Sequence, residues 1–282
     1  MTGPLLVLGA SGIIGRTVVD VALDAGRSVI AVARDAAALE GLRVAYPSGA
    51  LSLVAATVAS DADAAALAAR VAVLPGAAPE VVVAAIRGER ERGRLLDGPA
   101  DLLRRRLDED LLPHLFAARH LLPLLAARRH GAYVLVGGPG ADHPWAGHGH
   151  HSIGADALRM LARVLHDEAR ALPVRVQLLS VDAPVRTAAN ARHACDRWPS
   201  ADAIARAALR MVDARGLPAP VMVRFPLPAP VPGPTLSDDL DAPERGCVPP
   251  APACLPSSRD LTDARALLRG ITASPHHQDL PR

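Results

Sequence analysis

An α/β fold built on a doubly wound parallel sheet of about seven strands is predicted by three features of this 282-residue sequence. Short, wholly apolar runs recur without polar alternation, as expected of strands covered on both faces. Segments with helical spacing separate those runs. A glycine-rich turn, Gly9-Ala10-Ser11-Gly12-Ile13-Ile14-Gly15, joins the first run to the first helical segment.

In chain order, residues 5–8 (LLVL) form the first strand. Residues 13–25 have helical spacing, and Gly26 stops them. Residues 28–33 are a second strand ending at Arg34, and residues 51–56 a third. Residues 61–74 read as a helix, with Asp61 or Asp63 as cap and Pro75-Gly76 as stop. Residues 81–85, three valines and then two alanines, are the fourth strand. Residues 99–129 form one long helix or a pair, with Gly131 as the stop. Residues 133–136 are the fifth strand, and 152–171 an amphipathic helix closed by Pro173. The sixth strand spans 174–179, a further helix 201–214, and the seventh strand 220–223. Right-handed crossovers between parallel strands leave the doubly wound sheet as the simplest closure.

After Phe225 the texture changes. Pro226, Pro228, Pro230, Pro232 and Pro234 alternate with other residues, and twelve of the 26 prolines lie beyond that phenylalanine. Alternating proline favours extended chain over packed elements. Residues 1–224 therefore read as one domain. Residues 225–282 read as a Pro-rich, poorly ordered extension with one short helix near 260–268, and a partner-binding segment is the alternative there.

Composition narrows the function. The hydrophobic share is 50%, enough for a packed core. A net charge of +2 argues against nucleic-acid or anionic-membrane partners. No apolar run reaches the roughly 18 residues of a membrane span, and MTGPLLVLGASG lacks the basic start of a signal peptide. Cys195, Cys247 and Cys254 are widely spaced, which fits a reducing cytoplasm better than a disulfide framework. The chain has no lysine at all; all 31 basic residues counted with it are arginine. It has one asparagine, Asn190, and two tyrosines, Tyr46 and Tyr133.

The glycine turn is suited to a dinucleotide. Phosphate needs close backbone and unpaired N–H donors, which Gly9, Ser11, Gly12, Ile13, Ile14 and Gly15 supply at a helix N-terminus. The motif lies between a strand and a helix and is followed by a second strand, the order of a Rossmann-type site. An acidic residue at the end of that second strand would bind ribose hydroxyls. Arg34 stands there instead and offers a fork to a 2′-phosphate. NADP is thus favoured over NAD, although Asp35, if it points inward, reverses the preference.

LVLGASGIIGR followed by VIAVARD resembles the opening of short-chain dehydrogenases/reductases, with the GxxGxxG spacing of their extended and atypical members. LLPHLFAARHLLPLLAARRHGAYVLVGG is similar to their central helix and fifth strand, and PVRVQLLSVDAPVRT to their sixth strand and following loop. The resemblance spans about residues 3–224. It implies an oxidoreductase acting on a carbonyl or alcohol, with an Asn, a Ser, a Tyr and a Lys four residues after the Tyr. Those positions fall on Asp110, Gly138, His151 and Ala155 here, so the usual Tyr–Lys mechanism is impossible. It also implies cofactor contacts at Thr57, where the family has Asp, at Ala84 and Ala85, where it has Asn-Asn, and at Thr187, which matches.

Substitute chemistry is available. His151 can transfer protons near neutrality, Asp110 could orient it, and Ser152 adjoins it. The alternatives are that His151 is only an exposed or helix-terminal residue, or that the chain is a catalytically inactive nucleotide-binding or partner protein. His143, His148, His150 and His151 crowd one Gly-rich loop, but their irregular spacing assigns no metal. Trp145 in that loop either lines a pocket or anchors the loop. Residues 87–94 alternate in charge and read as a solvated loop near the cofactor mouth. Residues 100–128 and the helix from 152 form the dimer face in relatives, which implies a homo- or hetero-oligomer. The substrate, a small molecule, has no readable code.

Overall fold

The structure, a computed structural model, describes residues 3–227 apart from 48, 75–78, 89–91, 128–130, 146 and 215–218. The Pro-rich tail, its expected helix near 260–268, Cys247 and Cys254 lie outside the described residues, as do the Pro75-Gly76 stop and part of the charged run 87–94.

Seven strands form one parallel sheet: β1 (Leu5–Leu8), β2 (Val29–Ala33), β3 (Leu51–Ala55), β4 (Val81–Ala84), β5 (Gly131–Val136), β6 (Val174–Ser180) and β7 (Met222–Arg224). Their order is β3-β2-β1-β4-β5-β6-β7. The winding reverses between β1 and β4, and in such sheets ligands bind at that switch point, beyond the carboxyl ends of the strands. β1, β2 and β4 are buried at every position, which is why they appear in the sequence as continuous apolar runs.

Among the described residues, seven α-helices cover the faces: α1 (Ile13–Asp24), α2 (Ala36–Ala45), α3 (Asp61–Ala72), α4 (Leu102–Asp110), α5 (Leu112–Ala126), α6 (Gly149–Glu168) and α7 (Ala201–Asp213). On one face Leu6, Leu8, Val82, Tyr133 and Leu135 pack under α3, α5 and α6. On the other Leu5, Val7, Val81, Val83 and Val134 pack under α1, α2 and α7. Among the described residues no helix is long and apolar enough to cross a membrane.

Several element boundaries depart from expectation. α2 has no counterpart in the sequence reading; Asp35 starts it by accepting the Ala37 and Ala38 N–H groups at 2.9 and 3.1 Å. The cap of α3 is Ser60, which accepts the Asp63 N–H at 3.1 Å, while Asp61 and Asp63 sit in the first turn. The expected long helix or pair is a pair, α4 and α5, separated at Leu111. Gly131 opens β5 rather than stopping a helix: a Cβ there would meet the Leu125 carbonyl oxygen at 2.9 Å. α6 starts at Gly149, three residues earlier than expected, so His150, His151 and Ser152 occupy its first turn. The α-helix ends at Glu168, and Ala169–Ala171 continue as a tighter turn. The seventh strand lies slightly later, at Met222–Arg224. Gly26 does close α1, at φ 74°, with its N–H donating to the Leu23 carbonyl at 2.8 Å.

Candidate functional site

The glycine turn leaves β1 beneath the switch point. Gly9 adopts φ 77°, and a Cβ there would collide with the Ala85 carbonyl oxygen. Gly15 lies directly against the Gly9 carbonyl, where any side chain would clash. Gly12 donates to the Gly9 carbonyl at 2.9 Å and precedes α1 in extended geometry, with no side-chain cap. The first-turn donors of Ile13, Ile14 and Gly15 therefore have no side-chain acceptor, as an anion-binding helix start requires. Ser11 and Gly12 are exposed. Ala84 and Ala85 follow along β4, with Ala85 N–H donating to the Leu8 carbonyl at 3.0 Å.

Arg34 is exposed at the end of β2. Its neighbour Asp35 is committed to capping α2. Thr57 accepts the Ala59 N–H at 3.1 Å just beyond β3. Thr187 and Asn190 cap a short turn reciprocally, and Asn190 also donates to the Val185 carbonyl at 2.8 Å.

Beyond β4 and β5, the structure brings His151 and Asp110 together. His151 Nδ1 lies 3.4 Å from Asp110 Oδ2, a long approach, with side chains 1% and 13% exposed. Asp110 Oδ1 accepts the Gly88 N–H at 2.6 Å. Burial alone would raise the Asp110 pKa. The donors from His151 and Gly88, with the Arg87 charge, outweigh it and hold the carboxyl below its usual range. Neither ring nitrogen of His151 makes a hydrogen bond of good geometry: Nε2 is buried with no partner, and Nδ1 has only the long approach to Asp110. Ser152 is engaged elsewhere: its hydroxyl accepts the Trp145 N–H at 2.9 Å, so it clamps the loop before α6. Tyr133 is wholly buried in β5 and its hydroxyl pKa is pushed up by burial, which removes it as an acid.

The position that the resemblance gives to serine, Gly138, is overlain by a guanidinium. A Cβ on Gly138 would overlap Arg87 Nη1 and lie 3.1 Å from its Cζ. A side chain at 138 and this placement of Arg87 exclude one another.

A second charged cluster escaped the sequence reading. Arg159 on α6 is buried and donates to Asp142 at 2.5 Å, Asp182 at 2.6 Å and Ser180 at 3.0 Å. Arg224 adds a fork to Asp142, at 2.5 and 3.2 Å. The Arg159 bond, then that of Arg224, hold the Asp142 carboxyl well below its usual range. The cluster ties the loop after β5 to the exits of β6 and β7. Its one sequence signal is a charge on the otherwise buried stripe Leu158–Ala162–Leu165 of α6.

No protein-family model matches the sequence, and neither does the sequence of any curated protein. Solved structures do match. A short-chain dehydrogenase from Streptomyces avermitilis is 23% identical, with a TM-score of 0.68 over 80% of this chain and 89% of its own. A short-chain dehydrogenase/reductase family oxidoreductase from Burkholderia thailandensis is 26% identical, with a TM-score of 0.65 over 76% and 86%. The chain has the short-chain dehydrogenase/reductase fold. A third structure with this fold, an NADPH-bound short-chain oxidoreductase from Pseudomonas aeruginosa PAO1 described as containing an atypical catalytic centre, is 22% identical, with a TM-score of 0.67 over 74% and 89%.

Within this short-chain dehydrogenase/reductase fold, buried His114 ties α5 to the chain beyond β4. Its Nε2 donates to the Ile86 carbonyl at 3.2 Å, just beyond β4. Complete burial pushes its pKa down to about 4 from 6.5. The unfolded chain protonates this imidazole near 6.5 and the folded chain only near 4. Stability is therefore full above the higher value and falls with pH between the two, by about 3 kcal/mol from this group. Urea unfolding across that range should show the loss, and His114→Gln, which keeps a donor but does not titrate, should flatten the slope.

Proposed function

We propose that the chain is an NADP-dependent oxidoreductase acting on a carbonyl or alcohol, in which the His151–Asp110 pair moves the proton. The observation that carries this reading is the approach of the two buried side chains at the carboxyl edge of the sheet, across the switch point from an intact glycine turn.

The chain's own residues fit the phosphate end of a dinucleotide. Gly9 and Gly15 clear the backbone that phosphate must approach, and Ile13, Ile14 and Gly15 offer their N–H groups. Arg34 faces solvent where a 2′-phosphate would add charge. Asp35, capping α2, does not compete for the ribose. At the nicotinamide end the fit differs, because Ala155 stands where relatives place the ribose-binding lysine. NADPH supplies the hydride when bound. Asp110, an acceptor when ionised, receives the His151 Nδ1–H and stabilises the imidazolium. Nε2 then gives its proton to the carbonyl oxygen as that oxygen gains the electron pair of the C=O bond; alcohol oxidation runs the same transfer backwards. Arg87, over Gly138, places a fixed positive charge beside the pair. The NADPH-bound structure with an atypical centre supports the reading by precedent of fold.

Ala155 and the absence of lysine also favour a second reading, a nucleotide-binding module without turnover. NADPH fluorescence titration followed by a ketone and alcohol screen separates the two. Saturable binding with turnover is expected. His151→Ala should cut kcat about 10²–10⁴-fold with NADPH affinity unchanged. Asp110→Asn should also lower kcat. Arg34→Asp should weaken NADPH at least tenfold and NADH little. Binding without turnover would establish the module, and turnover indifferent to His151→Ala would remove that residue from the mechanism.

The small-molecule reaction fits an oligomer. α6 exposes Ile153, Met160 and Val164, and α5 exposes Leu115. We place a self-association face on these helices. Light scattering should find a dimer, and Met160→Glu with Val164→Glu should convert it to monomer.

A further inference from the structure

Three imidazoles converge at the start of α6. His148 precedes the helix at φ −137° and ψ 36°, off helical geometry, and His150 and His151 follow in the first turn. One ring nitrogen of each lies within 4.8 Å of the others. The ring centroids are 4.3 Å apart for His150 and His151, 5.7 Å for His148 and His151, and 6.3 Å for His148 and His150. A tetrahedral ion holding three imidazoles at about 2.0–2.1 Å sets their centroids about 5 Å apart. The observed separations straddle that value.

Two further observations bear on what the cluster holds. His151 is 2% exposed, and neither ring nitrogen has a hydrogen-bond partner of good geometry, Nδ1 meeting Asp110 only at 3.4 Å. An imidazole nitrogen buried in that way is costly unless something occupies its lone pair. Asp110 faces the opposite nitrogen, Nδ1. A carboxylate on one ring nitrogen fixes the tautomer that leaves the other nitrogen basic, the arrangement that orients metal-binding histidines. Trp145 packs on His148, with ring centroids 4.4 Å apart, and holds that ring toward the other two.

We propose that His148, His150 and His151 form a site for a divalent transition-metal ion of the zinc class, with Asp110 orienting His151. Three protein ligands leave a fourth coordination position for water or a substrate oxygen. Metal binding stands independently of the oxidoreductase reading. One consequence rests on that reading: the ion takes the Nε2 lone pair that proton transfer requires, so Zn²⁺ and proton transfer compete at one atom and Zn²⁺ silences turnover.

The test uses the full chain without a polyhistidine tag, stripped of metal and titrated with Co²⁺ and then Zn²⁺. One equivalent of Co²⁺ should bind with the visible d–d absorption of a nitrogen-ligated tetrahedral ion, and Zn²⁺ should displace it. Zn²⁺ should raise the Tm of the wild-type chain. His148→Ala, at a half-buried position, and His150→Gln should each weaken Co²⁺ at least tenfold and abolish the Tm shift. Asp110→Asn should weaken it about 10–100-fold. Failure of the wild-type chain to bind stoichiometric Co²⁺, or binding unaltered in both histidine variants, overturns the site whatever the activity. Stoichiometric Co²⁺ with turnover indifferent to Zn²⁺ keeps the site and removes His151 from proton transfer.

Discussion

The Asp110 carboxylate links three parts of the chain. It ends α4, accepts the Gly88 N–H beyond β4 at 2.6 Å, and faces His151 in the first turn of α6 at 3.4 Å. Burying a carboxylate is unfavourable unless donors compensate it. Here both oxygens face donors, and the Arg87 charge lies nearby. The position of Gly88 carries Arg87 with it, and Arg87 in turn fills the space above Gly138. His114 fixes the preceding residue through the Ile86 carbonyl. The exit of β4, the end of α4 and the start of α6 are thus held by one buried acid and one buried, neutral imidazole.

The sheet decides where this acid can act. Parallel strands place every βα loop at the carboxyl edge, and the reversal between β1 and β4 opens the crevice there. The glycine turn lies on the β1 side and the Asp110–His151 pair on the β4–β5 side. Farther along, Arg159 fastens the loop after β5 to the exits of β6 and β7 through Asp142 and Asp182. Arginine bears these buried contacts throughout, as its bidentate fork suits. No lysine exists to occupy the space beside Ala155.

Much of the fold was legible because buried parallel strands carry an unmistakable pattern. LLVL and the three valines of β4 could be nothing else in a chain with this turn. α2 was missed because AAALEGLRVA places Gly41 inside a short helix, and Asp35 was considered for the ribose rather than as its cap. Of the candidate site, the glycine turn was legible, since its chemistry is local. The identities of His151 and Asp110 were legible by resemblance, but their contact was not, because 40 residues of intervening chain fold between them. The convergence of His148, His150 and His151 was not legible either. His148 stands outside the helix, so its ring reaches the others through a bent backbone that no periodicity describes. Arg87 over Gly138 is likewise a consequence of two loops meeting, with no trace in either alone.

The account turns on the state of one ring. If Asp110 orients His151, the neutral imidazole carries its hydrogen on Nδ1 and leaves Nε2 as the lone pair, whether a proton or a metal ion is to be taken there. Long-range ¹H–¹⁵N correlation NMR of the metal-free protein reads this tautomer directly, with Asp110→Asn as the comparison. The account predicts the Nδ1–H tautomer in the wild-type chain and its loss in the variant. A wild-type His151 with its hydrogen on Nε2, or with the same tautomer mixture in both proteins, would contradict it.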